Sequence, residues 1–196
     1  MKIYGNAGSG NCLKVKWTAD FLGLPYTWQE VDSPGGETRN AAYLAKFPMG
    51  QVPGVEFPDG GTLAQSNAII RYLARGSTLL PEDAFQAAKV DEWLFWEQYS
   101  HEPYVAVCRS QMVYRGIPAS EREPWRVERA ESALDLMERH LTGRQWLVGE
   151  TMTIADICLL AYTRVAHEGG FDLRHRPALR GWIARGDQQL NLAQAA

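Results

Sequence analysis

Residues 50–74 constrain the fold more than any other stretch of this chain. Gly50-Gln51-Val52-Pro53-Gly54 leads into Val55-Glu56-Phe57, a short β-prone run, and Pro58-Asp59-Gly60-Gly61 is strong turn chemistry. Thr62-Leu63-Ala64 can pair back as the second arm of a hairpin. Gln65-Ser66 stands where a helix should begin, with Ala68, Ile69, Tyr72 and Leu73 at helical spacing behind it. Ser66 fits an N-cap or first-turn position, where its hydroxyl and the free amides nearby face an incoming anion. A turn followed by a capped core helix would use the same residues.

The preceding segment completes a unit around this hairpin. Lys2-Ile3-Tyr4 is a β-prone start, followed by the glycine-rich loop Gly5-Asn6-Ala7-Gly8-Ser9-Gly10-Asn11. A helix is expected from about Asn11 to Leu22, with Cys12, Val15, Ala19 and Leu22 as its buried stripe and Gly23 as its stop. Tyr26 to Val31 reads as a second strand, and Asn40 to Phe47 as a short helix. A βαβ half followed by a ββα half gives an α/β domain of thioredoxin-like order with a mixed four-stranded sheet.

Composition shifts at Gly76-Ser77-Thr78-Leu79-Leu80-Pro81-Glu82-Asp83, and β signals stop there. Domains are therefore expected at 1–76 and 84–196, the second all-helical. Phe85 to Val107 carries Trp93, Phe95, Trp96, Tyr99 and Tyr104, and Pro103 should kink or break that helix. Pro124 suits the first turn of a helix whose stripe is Val127, Ala130, Leu134, Met137 and Leu141. Thr153-Ile154-Ala155-Asp156 is a capping box, with Met152 and Ile157 placed for a hydrophobic staple.

Length and charge exclude several classes of function. The chain has 196 residues, 45% of them hydrophobic, enough for one or two domains with a real core. A net charge of −3 with interspersed signs argues against nucleic acid as a partner, and no apolar run approaches membrane-spanning length. The start runs directly into a strand, so no signal peptide is expected. Cys12, Cys108 and Cys158 are odd in number and widely spaced, which fits a reduced, cytoplasmic protein. No metal site is expected.

The pair of motifs Gly-x-Val-Pro and Leu-x-Gln-Ser-x-Ala-Ile-x-x-Tyr-Leu-Ala resembles the glutathione-binding half of the thioredoxin-like domain in glutathione S-transferases. Thr153-Ile154-Ala155-Asp156 after Leu147-Val148-Gly149, and the segment His175 to Trp182, resemble the family's C-terminal domain. The resemblance implies a cis peptide before Pro53, with Val52 presenting its backbone N–H and C=O to the cysteinyl unit of glutathione like an added strand. It implies that Gln65 and Ser66 hold the γ-glutamyl group, that glutathione is the co-substrate, and that the protein is a homodimer acting on a small electrophile.

Such enzymes ionise a bound thiol. Lowering a thiol pKa from about 8.5 by two units requires roughly 2.7 kcal/mol. A helix N-terminus contributes about 0.3–1 kcal/mol and one hydrogen bond to a charged group about 1.5–3 kcal/mol, so one donor at the start of the first helix suffices. Ser9 matches the activating serine of serine-type members, and Asn11 falls where some bacterial members use asparagine. Both also fit a simple helix cap. Cys12, at the same helix start, would imply a mixed disulfide with glutathione, but it lies on the buried stripe. Tyr4 lies in the strand, ahead of the loop. The glycine carboxylate of glutathione has Thr38, Arg39, Lys46 and Gln51 as candidates, Gln51 ahead of Arg39; relatives often carry lysine at the position of Gln51. An apolar electrophile pocket between the domains would draw on Tyr99, Tyr104, Cys108 and Tyr114, an aromatic series that equally suits core or dimer interface. His101 and Glu102 are expected to be solvated. Disulfide or peroxide reduction, and a non-catalytic glutathione-binding interaction module, are the alternatives.

Overall fold

The structure, a computed structural model, describes residues 1–193. The chain divides into two compact units, Met1–Ser77 and the remainder from Thr78 onward.

The first unit is a mixed sheet with helices. Its strands β1 (Lys2–Gly5), β2 (Thr27–Glu30), β3 (Gly54–Glu56) and β4 (Thr62–Ala64) lie in the order β2-β1-β3-β4. Helix α1 (Gly10–Phe21) lies between β1 and β2 in the chain, and the strands it joins are parallel, with Ile3 opposite Trp28. The β1–β3 and β3–β4 pairs are antiparallel, with Ile3 opposite Val55 and Val55 opposite Leu63. The expected hairpin forms: Phe57 N–H bonds the Gly61 carbonyl at 2.8 Å, and Gly60 takes φ +85° at the turn.

Helix α2 (Ala41–Lys46) begins as its sequence predicts, with Asn40 Oδ1 accepting from Tyr43 N–H at 2.7 Å. It packs Tyr43 and Phe47 with Val31, against Tyr4, Val52 and Ala64. The approach at β3 is close: a Cβ on Gly54 would sit 2.6 Å from the Phe47 ring. Helix α3 (Ser66–Leu73) packs on α1, burying Ile69 and Ile70. Each fully buried side chain of this size contributes about 1.5–3 kcal/mol.

The second unit is all-helical: α4 (Ala84–Trp96), α5 (Glu102–Arg115), α6 (Pro124–Leu141), α7 (Ile154–Thr163) and α8 (Pro177–Gln189). Every residue of α7 is buried, which makes it the central helix, contacted by α4, α5 and α8. Pro103 is accommodated in the first turn of α5, and the interruption falls upstream, as a π-helical turn over Glu97–His101. A proline ring crowds the carbonyl four residues earlier, here Tyr99, inside that turn. The turn buries Glu97 and His101 completely. His101 is therefore not solvated as expected; its Nε2 lies 3.0 Å from Thr163 Oγ1.

The capping box forms and does more than cap. Asp156, 2% exposed, accepts from Thr153 N–H at 2.8 Å, Leu147 N–H at 2.9 Å and the Trp182 indole at 2.9 Å. One carboxylate thus joins the connector before α7, the start of α7 and the middle of α8. Glu138 of α6 caps α8 from outside, accepting from Leu179 N–H at 2.7 Å.

Candidate functional site

The residues singled out at the two helix starts of the first unit come together. Ser9 is the N-cap of α1 with extended backbone, but its hydroxyl makes no capping bond. Two residues on, Asn11 Oδ1 accepts from Ser66 Oγ, the first residue of α3, at 3.1 Å. The N-termini of α1 and α3 therefore meet at one point, each with the partial positive charge of a helix start. Lys14 is completely buried within α1, and its ammonium lies 3.4 Å from Asn67 Oδ1 on α3.

Gln65 precedes α3 with φ +69° and ψ 112°, a backbone region that a residue with a Cβ rarely enters. Its side-chain Nε2 lies 3.3 Å from Gln51 Oε1 and 3.1 Å from Met49 Sδ. The Val52–Pro53 peptide is cis. The Tyr43 hydroxyl donates to the Gln51 carbonyl at 2.7 Å, so α2 holds the segment that carries Gln51 and Val52. Arg39 is exposed beside this segment; a Cβ on Gly50 would meet its Nη1 at 2.7 Å.

Other candidates are engaged elsewhere. Lys46 pairs with Glu56 at 2.6 Å and donates to the Tyr4 hydroxyl at 3.0 Å, on the α2 side of the sheet. The Tyr4 hydroxyl donates to the same carboxylate at 2.7 Å. Thr38 is buried. Cys12 is fully buried, and burial pushes its thiol pKa up, with the Asn6 amide and the Ser9 hydroxyl pulling the other way.

The electrophile-pocket residues on α5 do not form one site. Cys108 is completely buried, which removes it from any open pocket. Tyr104 packs edge-on against Trp125 with ring centres 6.1 Å apart. Tyr114 is exposed, its hydroxyl accepting from Arg109 at 3.3 Å. Ten residues separate the two tyrosines, about 15 Å along a helix. Tyr99 is 79% exposed and faces away from the helical core. An open cleft of about 900 Å³ lies wholly in the second unit, lined by Arg164, His167, Phe171 and Arg180 among others, and holds none of the predicted site residues. Among the described residues, no group of three or more His, Cys, Asp or Glu side chains is placed to hold a metal ion, and no helix is long and apolar enough to cross a membrane.

Sequence reasoning missed Lys14, Asn67, Met49 and Asn6 at this site. A buried lysine on an otherwise apolar stripe leaves no periodic signal, and the other three are ordinary polar or loop residues until the fold assembles them.

A strand–helix–strand and hairpin–helix unit with paired helix starts, a cis proline and an all-helical second unit defines a protein of thioredoxin-like fold with a helical C-terminal part. Residues 8–75 match the model of the glutathione S-transferase N-terminal domain, and residues 117–185 that of the C-terminal domain. A crystal structure of a glutathione S-transferase from Pseudomonas fluorescens is 48% identical, with a TM-score of 0.91 over 95% of this chain and 94% of that one. The glutathione S-transferase-like protein LUC7 of a Fusarium species is 35% identical over 170 residues, 80% of this chain and 73% of that protein. Elongation factor 1-gamma of Artemia salina is 34% identical over 158 residues, which are 80% of this chain but 36% of that protein. The chain belongs to the glutathione S-transferase family.

Proposed function

We propose that the protein is a glutathione transferase that ionises the glutathione thiol at the start of α1 for attack on a small electrophile. The observation that carries this reading is the 3.1 Å bond between Asn11 and Ser66, which brings two helix N-termini to one point. An anionic tripeptide has two negative groups to place there, the γ-glutamyl carboxylate and the thiolate. Residues 1–76 form the glutathione-binding domain and 84–196 the helical domain. Val52 and Pro53 receive the cysteinyl backbone, Gln65 and Ser66 the γ-glutamyl group, and Gln51 with Arg39 the glycine carboxylate. The backbone of Gln65 supports this: an unfavourable conformation kept by a non-glycine residue marks a side chain needed in place.

Ser9 donates to the thiolate. Its hydroxyl is not used to cap α1, whereas the Asn11 oxygen is bound to Ser66. Asn11 orients Ser66 and closes the site. The protein acts as a homodimer in the cytoplasm.

The test is the ionisation of bound glutathione, read by thiolate absorbance, with turnover of an aryl halide. Ser9→Ala is expected to lower kcat/KM about 10- to 150-fold, the equivalent of roughly 1.5–3 kcal/mol, with little change in glutathione affinity. Asn11→Ala is expected to weaken glutathione binding instead. Full activity in both variants refutes the assignment.

A second reading is a non-catalytic glutathione-binding module, favoured by the similarity to elongation factor 1-gamma. Retention on immobilised glutathione without turnover of halide, peroxide or disulfide would support it. A mixed-disulfide route through Cys12 is disfavoured by the burial and raised pKa of that thiol.

A further inference from the structure

We propose that Asn6 is a positioning residue for Ser9, and that the glycine-rich loop is a rigid arm rather than a cradle for the ligand. The proposal rests on the transferase reading above. A glycine-rich loop before a helix invites the opposite expectation, in which successive backbone amides turn toward an anion.

The hydrogen bonds decide between the two. Each N–H from Asn6 to Ser9 points at an acceptor within the protein. Asn6 N–H is directed at Cys12 Sγ at 3.3 Å, and Ala7 N–H at Glu30 Oε1 at 3.0 Å. Gly8 N–H bonds Asn6 Oδ1 at 2.9 Å, and Ser9 N–H bonds the Asn6 carbonyl at 3.0 Å. Four consecutive amides are thus held, two of them by Asn6 itself. The side chain reproduces a backbone turn two residues on, and the main-chain carbonyl closes the next turn onto Ser9. Asn6 Nδ2 reaches the Val31 carbonyl at 3.5 Å, which ties the arm to the end of β2.

Two consequences follow for the chemistry. The side-chain donor that this arm presents to a sulfur is the Ser9 hydroxyl, which lies against the Cys12 thiol in the structure and can rotate toward a ligand. The place of Ser9 is fixed by Asn6, which need not touch the ligand. Cys12 gains a structural role as the acceptor beneath the arm, in keeping with its complete burial.

A double-mutant cycle tests this. Asn6→Ala is expected to lower kcat about tenfold with KM for glutathione changed less than about twofold, since misplacing a reacting group by an ångström is enough for such a loss. The ionisation of bound glutathione should shift to higher pH in parallel. Asn6→Asp keeps the acceptor for Gly8 N–H and should recover activity to within about threefold of wild type. Because Asn6 acts through Ser9, adding Asn6→Ala to Ser9→Ala should cost nothing further, within about twofold. A loss that multiplies with that of Ser9→Ala overturns the proposal, because a general structural role would be independent of the hydroxyl. Should Asn6→Ala fail to fold, the same cycle with Asn6→Ser reads the same coupling from a milder change. Wild-type protein that ionises bound glutathione, alongside an Asn6→Ala variant that does so equally, overturns positioning alone. Wild-type protein that binds glutathione without ionising it refutes the transferase reading, and the role of Asn6 falls with it.

Discussion

The proposed place of Gln65 in the glutathione site sets stability against binding, and the two can be separated by one pair of substitutions. Its φ of +69° and ψ of 112° lie outside both helical and extended regions. A residue with a Cβ pays about 1–3 kcal/mol for such a conformation. Glycine adopts it freely but loses about 0.5–1 kcal/mol more chain entropy on folding. Gln65→Gly should therefore stabilise the protein by a net ~1 kcal/mol, a rise in Tm of about 2–4 °C for a chain of this size. Gln65→Ala keeps the strained backbone and should leave Tm within about a degree of wild type. Both variants lose the amide, and both should weaken glutathione binding by about 1–2 kcal/mol, roughly five- to thirtyfold in Kd. Calorimetric melting and glutathione titration measure the two effects separately. Equal melting temperatures for the glycine and alanine variants would refute the strain argument. Unchanged glutathione affinity in both would refute the placement of Gln65 in the site.

Asp156→Ala removes the acceptor shared by Leu147, Thr153 and Trp182 and leaves buried donors unpaired; urea unfolding should show a loss of about 3–5 kcal/mol, a large share of a typical stability of about 5–15 kcal/mol. Burial pushes the Asp156 carboxyl above its ordinary value against the pull of those donors, so its desolvation is costly and only the full set of bonds offsets it. The Tyr43 phenol is pushed from 10.0 up to about 12, chiefly by burial. The folded state holds that proton more tightly than the unfolded chain does, so the contribution is complete below pH 10 and lost as pH rises toward 12. Melting curves across that window should fall more steeply for wild type than for Tyr43→Phe.

Much of the fold was legible because it rests on local chemistry. Asn40, Asp83 and Thr153 begin helices where their side chains can accept from a backbone amide. Pro58-Asp59-Gly60-Gly61 turns the hairpin because Gly60 must take positive φ. Of the proposed site, the sequence pattern marks the two helix starts, where Ser9, Gln65 and Ser66 stand. It does not mark the far side. Lys46 is close in sequence to the proposed glutathione segment, yet Glu56 and the Tyr4 hydroxyl hold its ammonium. Cys108 follows Tyr104 by one helical turn, yet the packing of α5 encloses it completely. His101 suggested solvent by its chemistry alone; it and Glu97 stand eleven and seven residues after the buried Val90, so the helical period carries both on the inner face.

The contact between Phe47 and Gly54 also bears on how such chains diverge. With 2.6 Å between the ring and a would-be Cβ, a side chain at position 54 forces the Phe47 ring to shift. A relative that carries alanine at position 54 must move the ring at 47 or give up ring volume there, and the helix that bears Tyr43 then settles differently against the sheet. Variation in the two positions should be inherited as a pair. Through Tyr43 and its bond to the Gln51 carbonyl, such a pair would shift the segment that carries Gln51 and Val52 from beneath.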